Sequence, residues 1–577
     1  MHPFLTPVRK ICLSLALFAV PLLTAAAVLP SAAAAAVAPV HAQAPATVMV
    51  SGVSRLHVRD FGRTAPNTRV NLTITLNYRN ERDLAALVRD ASDPASPAYG
   101  KFLTPQQFRD NFAPTLNEYV ALARTLERAG FTVTQTSANR TLLNVSAPAT
   151  TVERYFNTTI HNVTQDDKVL RYANARPAYM PVALRGFVFS IGGFDNLRIA
   201  KTLNVRAPAA RTDLALGPPL QGPDTGLGPF ALATAYDYPV QHAVPGAKNG
   251  RTYDGTGHAA GIAIDSDILD SDLTSFLAYF HVKRTAPAIV RTLVDGGPHG
   301  VTFDQVEATL DAETIAGLAP GAGIDLYLMP ALTYVDIIDT YNKVVADDKV
   351  DVLNSSFGGC EIGTLPATFP QTSDHIAEQG AAEGITFSAS SGDFGADTCI
   401  GITSNFVGVS TPASGSHFTA AGGTSLLINT SGAYRAELGW IGSGGGVSTL
   451  FALPAYQKGL ANIITAGRNV PDIAFDANPG TGPSLYLNGA FVGPIGGTSV
   501  SSPLFSALVT ELNQVHAKRA GQINIALYAR YKAVHAGSVF RDVTLGTNAY
   551  FGPGYNALAG YDQVTGLGSI VGWPYAK

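Results

Sequence analysis

Charge is scarce in this chain. Lys, Arg, Asp and Glu make up 14% of its 577 residues, against about a quarter in an ordinary soluble protein. The 39 cationic and 43 anionic side chains nearly cancel, leaving a formal net charge of −4 and a pI of about 6.3. That balance speaks against a nucleic-acid partner. In acid the carboxylates neutralise and only 39 Lys and Arg remain to repel one another, so the composition suits a protein that works at low pH.

Cysteine is scarce as well, with three in the whole chain. Cys12 falls in an N-terminal segment expected to be removed, which leaves Cys360 and Cys399. An even pair in an exported protein reads as one disulfide; a metal site would need further ligands nearby, and a thiol nucleophile a partner histidine. Long apolar runs are missing beyond the N-terminus, and so are internal repeats. Arg9 and Lys10 precede the apolar stretch Ile11 to Ala27, and an Ala-rich run leads to Val40-His41-Ala42. This is the pattern of a secretory signal over residues 1–42, with an A-x-A-like cleavage site. A membrane anchor is the competing reading. The short apolar core, followed by small residues rather than a cationic stop, favours removal. An extracellular protein free of the membrane is then expected.

Residues from about 48 to 200 read as one α/β unit. Val70, Leu72, Ile74 and Leu76 alternate as a strand does. Thr104-Pro105-Gln106-Gln107 has the signature of a helix start, with Thr as N-cap and Pro at the first position. Tyr119, Leu122 and Leu126 before Gly130 mark an amphipathic helix with a glycine stop. Strands flanking helix pairs predict a ferredoxin-like α+β module. Between 206 and 229, Gly217-Pro218-Pro219, Gly222-Pro223 and Gly228-Pro229 break any regular element and predict an exposed linker. From 230 onward the short apolar runs 261–264, 324–328, 350–353 and 385–388 alternate with helices such as 303–318 and 334–346. This predicts an α/β fold with a doubly wound, mainly parallel sheet, whose site lies at the carboxyl ends of the strands.

Three short segments carry chemistry. In Gly496-Gly497-Thr498-Ser499, with Pro503 four positions on, a serine follows a tight glycine turn and opens a helix. Free N–H groups there favour developing negative charge, as a nucleophile needs. The alternative is a glycine turn capped by a serine. Glu307 and Asp311 are four apart on a helix, hence on one face, where two carboxylates tend to share a proton. A solvated acidic face is the alternative. Asp393, in Ser391-Gly392-Asp393-Phe394, follows a strand end. Protonated, it would donate a hydrogen bond to an oxyanion; the alternative is a turn aspartate.

Taken together, these segments resemble the sedolisin family of serine-carboxyl peptidases, of the pro-kumamolisin type. Arg468-Asn469-Val470-Pro471-Asp472, Gly444-Gly445-Gly446-Val447-Ser448 and Ser96-Pro97-Ala98-Tyr99-Gly100 resemble further family segments. The resemblance implies a subtilisin-like catalytic domain over 230–577. It also implies an activation prodomain over 43–205, acting as an intramolecular inhibitor, and a maturation site within 206–229. Ser499 would be the nucleophile, Glu307 its general base, Asp311 the group that orients Glu307, and Asp393 the oxyanion stabiliser. A histidine base would be protonated at roughly pH 4, whereas a carboxylate within a shared-proton network still accepts there. The family further implies one calcium ion, with Asp542 and Asp562 as carboxylate ligands and Val543, Leu558 and Gly560 as carbonyl ligands. Leu558 stands where a glycine is usual. Phe357 stands where kumamolisin-like enzymes carry a tryptophan, so the extended hydrogen-bond chain behind the carboxylates would be missing. The implied disulfide would brace the oxyanion loop against the cleft. Protein or peptide substrates and a monomeric state are expected.

Two rival functions remain open. A subtilisin-like triad would join Asp265, His299 and Ser499. A catalytically inactive, secreted peptide-binding homologue would keep the cleft alone. A second Gly-Gly-Thr-Ser, Gly422 to Ser425, runs on into Leu426-Leu427-Ile428 without a proline and reads as a strand edge.

Overall fold

The computed structural model describes residues 49–165, 168–206, 216–217, 220–247, 250–298, 300–363, 368–402, 407–534 and 537–577. The signal segment lies outside them, and so does His299.

The N-terminal domain is built on strand Arg69–Leu76, which pairs antiparallel with Leu142–Pro148 and Val188–Gly192. Thr132–Thr136 joins the outer side of Leu142–Pro148. Read from that edge, the four strands lie in the order second, third, first, fourth, which is the ferredoxin-like arrangement expected from the sequence. The Thr104 and Thr115 capping boxes start the helices Pro105–Asn111 and Leu116–Arg128. Alternation decides what each sheet face does. Val70, Leu72 and Ile74 point into the domain's own core with Leu122, Leu126 and Phe156. Thr73 and Asn144 point the other way and donate to Asp339 of helix Tyr334–Asp347, at 3.3 and 2.6 Å. Thr141 and Asn139 likewise donate to Asn342, both at 2.9 Å. The two domains therefore meet through a buried polar seam. Such a seam contributes less net stability than an apolar one, because each hydrogen bond replaces one made to water.

The C-terminal domain holds an eight-stranded sheet. Val290–Leu293, Gly323–Leu328, Ala259–Ile264, Val352–Ser355, Thr386–Ser390 and Phe418–Ile428 run parallel in that spatial order. Ile473–Asp476 adds a parallel neighbour to the last, and Tyr434–Gly439 an antiparallel one. Both faces are covered. Ile262 and Ile264 pack with helices Gln305–Leu318 and Thr498–His516, whereas Ala263 packs with Tyr334–Asp347 and Phe369–Glu383. This is the doubly wound sheet the periodicity predicts.

Two local readings change. Gly422 to Ser425 sits inside strand Phe418–Ile428, hydrogen-bonded on both sides, rather than at a strand edge. Its glycines are there for space: a Cβ on Gly422 would come within 2.5 Å of Pro471, and one on Gly423 within 2.8 Å of Trp440. The second half of the 206–229 stretch is docked rather than exposed. Leu227 is buried, and Ser484 Oγ donates to Asp224 at 2.6 Å. Among the described residues, no helix is long and apolar enough to cross a membrane.

Candidate active site

Ser499 is the second residue of helix Thr498–His516, which begins after Gly497 at φ 104°. Its hydroxyl donates to Glu307 Oε2 at 2.9 Å, with the Ser356 carbonyl at 3.2 Å as an alternative acceptor. Glu307 and Asp311 share one face of helix Gln305–Leu318, and both are fully buried. That burial removes the solvated-face alternative. Each acid keeps one oxygen without a partner, Glu307 Oε1 and Asp311 Oδ2. The other Asp311 oxygen accepts from Ser356 Oγ at 2.7 Å; Asn354 Nδ2 donates to that hydroxyl at 2.9 Å, and Ser502 Oγ donates to Asn354 Oδ1 at 2.7 Å. Burial holds both acids well above the usual carboxylate range, and for Glu307 the charge of Asp311 adds to it. Two carboxyls raised in this way favour holding a proton rather than two charges.

Asp393 follows strand Thr386–Ser390. Its Oδ1 accepts from the N–H and the hydroxyl of Thr498, at 2.7 and 2.8 Å, while Oδ2 has no partner. Burial pushes this carboxyl up to about 7, against hydrogen bonds from Thr498 and the charge of Lys201, which lower it. Below that pH, Oδ2 carries a proton it can donate.

The site is filled by the chain itself. Lys201–Thr202 pairs antiparallel with Phe357–Cys360, and Val205–Arg206 with Ile495–Gly496. Between these pairings, Leu203 N–H donates to the Ser356 carbonyl at 3.3 Å, and Ser499 N–H donates to the Leu203 carbonyl at 3.0 Å. A Cβ on Gly497 would lie 2.3 Å from Leu203 O and 2.6 Å from Asp393 Oδ2. Glycine there keeps open the space where that carbonyl and that acid meet. Asn204 Nδ2 donates to Glu307 Oε2 at 2.8 Å. The Leu203–Asn204 peptide bond thus lies at Ser499, with the Leu203 oxygen on the Ser499 N–H and the Asn204 side chain on the general-base candidate.

The remaining sequence candidates fall as follows. Asp265 is turned to Arg198, at 2.9 Å, and its rival partner His299 lies outside the described residues. Phe357 is buried; the hydrogen bonds behind Asp311 run through its neighbour Ser356 instead. Cys360 and Cys399 are joined, tying the strand that pairs with Lys201–Thr202 to the loop that follows Asp393. Sequence reasoning missed Leu203, Asn204, Asn354 and Ser356.

Asp542 and Asp562 are approached by one loop. Gly560 N–H donates to Asp542 at 2.9 Å, and Leu558 N–H to Asp562 at 3.0 Å. Burial raises both carboxyls, that of Asp562 to about 6. Among the described residues, neither has a Lys or Arg within ion-pair distance, and the carbonyls of Val543, Leu558 and Gly560 accept no backbone hydrogen bond. This all-oxygen donor set fits a hard divalent cation. No group of three or more His, Cys, Asp or Glu side chains gathers as a metal cluster among the described residues.

Comparison with known proteins agrees with this geometry. The Pro-kumamolisin activation domain matches residues 57–197 and the Subtilase family matches residues 297–539. Sedolisin of Pseudomonas sp. (strain 101) is 32% identical over 549 residues, covering 91% of this chain and 89% of its own. Kumamolisin of Bacillus sp. (strain MN-32) is 28% identical, over 89% of this chain and 92% of its own. Tripeptidyl-peptidase 1 of Homo sapiens is 25% identical, over 88% and 91%. The solved structure of Pseudomonas sedolisin, a serine-carboxyl proteinase complexed with two molecules of pseudo-iodotyrostatin, superposes with a TM-score of 0.54 at 30% identity, over 61% of this chain and 97% of that one. The fold is that of a peptidase with a subtilisin-like catalytic domain, preceded by a prodomain. The chain belongs to the sedolisin family of serine-carboxyl peptidases.

Proposed function

We propose that this protein is the secreted zymogen of an acid-acting endopeptidase that cuts peptide bonds with a Ser499–Glu307–Asp311 triad and Asp393. The observation that carries the reading is the 2.9 Å hydrogen bond from Ser499 Oγ to Glu307, with Asp311 buried one turn further on. Ser499 Oγ bonds to no histidine among the described residues. Glu307 Oε2 already accepts two hydrogen bonds, from Ser499 and Asn204. Two donors at one oxygen favour its ionised form, leaving the shared proton to Asp311. Ser499 Oγ attacks the carbonyl carbon as its proton passes to Glu307. The Ser499 N–H and the Asp393 acid proton hold the oxyanion. Glu307 then protonates the leaving nitrogen, and water frees the acyl group by the reverse sequence.

The domain roles follow. Residues 43–205 form the inhibitory prodomain, 206–229 the linker and 230–577 the monomeric enzyme, with residues 1–42 the export signal. In acid, protonation of Asp265 and Asp339, both raised first by burial, weakens their contacts to Arg198, Thr73 and Asn144. The first cut falls at Leu203–Asn204, the bond held over Ser499, and the linker is trimmed later. Leu203 packs against Gly358, beside a cavity of about 220 Å³ also lined by Phe394, Thr398 and Ile402. This supports an apolar side chain on the acyl side of the bond. The bound segment stays in the cleft upstream as far as Arg198 and downstream to Arg206, which supports cutting within chains. One calcium ion, held by Asp542, Asp562 and the carbonyls of Val543, Leu558 and Gly560, would supply structural cross-linking. Acidified full-length protein, followed by intact mass, is expected to release a fragment beginning at Asn204, and the Ser499→Ala protein none. Maturation of the Ser499→Ala protein at the same rate would refute self-processing.

A further inference from the structure

We infer that Asp304 and Asp265 form an acidic subsite that selects arginine, and secondarily lysine, one residue upstream of the acyl-side residue of the cut bond in peptide substrates. The inference rests on the reading of Leu203–Asn204 as the substrate-like bond. Thr202 is then the residue in that upstream position, called P2, and its hydroxyl donates to Asp304 Oδ1 at 3.0 Å. The other Asp304 oxygen accepts from Arg198 Nη2 at 2.8 Å, and Asp265 accepts from Arg198 Nη1 at 2.9 Å.

Three features mark the place as built for a guanidinium. Asp304 sits at the N-cap of helix Gln305–Leu318, yet its side chain makes no capping bond. An aspartate there ordinarily satisfies its own helix; this one spends both oxygens across the cleft. Asp265 and Asp304 retain only 2% and 3% side-chain exposure, and Asp265 Oδ1 has no partner. Phe303, 76% exposed, lies under the Arg198 guanidinium with its ring centre 4.8 Å from Cζ. Two carboxyls and an aromatic face match the planar fork and the stacking surface of arginine.

Among the described residues, Arg198 and Thr202 are the only donors to these two carboxyls, and both belong to the segment that leaves. Its departure strips two buried acids of their partners, and a substrate cation restores them. A longer P2 side chain begins at the residue whose hydroxyl already reaches Asp304, the carboxyl whose other oxygen holds Arg198. Burial, with the neighbouring Asp304 charge adding to it, raises Asp265 to about 7, so in acid Asp265 carries a proton and one cation suffices for the pair.

The test uses the acid-matured protein and quenched peptides that share leucine on the acyl side and differ at P2 (Arg, Lys, Ala or Glu). The expected kcat/KM for P2 arginine exceeds that for alanine by about tenfold, the scale of one charge-assisted hydrogen bond. Glutamate should be poorest. Asp304→Asn and Asp265→Asn should each cut the arginine-to-alanine ratio severalfold, chiefly through KM. Equal rates for arginine and alanine with the unaltered enzyme would overturn the subsite, and that comparison needs no variant to fold. An unchanged ratio in a folded Asp304→Asn enzyme would overturn it too. Cleavage after leucine with no P2 preference sinks this inference alone; no cleavage of any peptide sinks the underlying reading with it.

Discussion

The Leu203 carbonyl oxygen accepts the Ser499 backbone N–H at 3.0 Å. The donor that keeps the prodomain strand in place is thus the donor proposed to stabilise the oxyanion. On that reading inhibition and catalysis draw on one hydrogen bond, and the resting protein is held in the geometry of a bound substrate.

Glu307→Gln and Asp311→Asn are each expected to lower peptide cleavage in acid by about 10³-fold or more, as for members of a unit that act together. Both substitutions keep the buried volume; the first removes the charge of the base and the second the proton held on Asp311, so circular dichroism should remain that of the unaltered protein. His299→Ala should cleave normally. A His299→Ala protein that is inactive while Glu307→Gln works would restore the histidine triad.

Asp393 is expected to set an alkaline limit on activity. Its carboxyl, raised by burial to about 7, loses its donor proton as pH climbs through that value. Asp393→Ala should lose about 10²–10³-fold in kcat. Asp393→Asn keeps an acceptor for Thr498 and offers an N–H in place of Oδ2. It should therefore retain more activity than alanine and lose the fall near neutrality. A pH–rate profile with an unchanged alkaline limb in Asp393→Asn would contradict this.

Stability should be greatest in acid and decline toward neutral pH. Burial raises Asp265, Asp393 and Asp476 each to about 7, and Asp195 and Asp336 each to about 6. Folded, these carboxyls keep protons that the unfolded chain loses from about pH 4 upward, so their contribution is full below that pH and is lost as pH rises to about 7. His375 acts in the opposite sense. Burial lowers it to about 4, so its share is lost as pH falls from 6.5. His516, also lowered by burial, acts with His375, whereas His417, raised to about 9 against its burial by the charge of Asp374, acts with the carboxyls, and the carboxyls prevail. Thermal melts should show Tm lower by about 5 °C or more at neutral pH than near pH 5. A flat or rising Tm over that range would count against it.

A chelator should lower Tm by several degrees, and added Ca²⁺ should restore it, on the scale of about 3 kcal/mol for a saturated site. Asp562→Asn should start from the lower Tm and show no response to the chelator. An identical chelator response in that variant would remove these residues from the metal site.

The residues proposed to carry the chemistry each lie in a short local pattern. Glu307 and Asp311 are related by one helical turn, and Ser499 by the glycine turn before it. The sheet was legible from its apolar runs. Leu203 and Asn204 were not, because nothing in their own neighbourhood distinguishes them. Their position comes from two strand pairings to segments more than 150 and nearly 300 residues away in the chain. Asp304 was hidden for a related reason: it looks like an ordinary helix cap, and only Arg198 and Thr202 reveal that it is not one. The Gly/Pro content of 206–229 identified a break in regular structure but not the docking of its second half, which depends on Ser484 in a distant loop.

Lys201–Thr202 and Val205–Arg206 are fastened at both ends of a two-residue span. The proposed cleavage point is therefore measured out by the chain itself, like a ruler with clamped ends. Inserting or deleting one residue between 202 and 205 would bring a different carbonyl to rest above the serine, or leave the span too short to cross it.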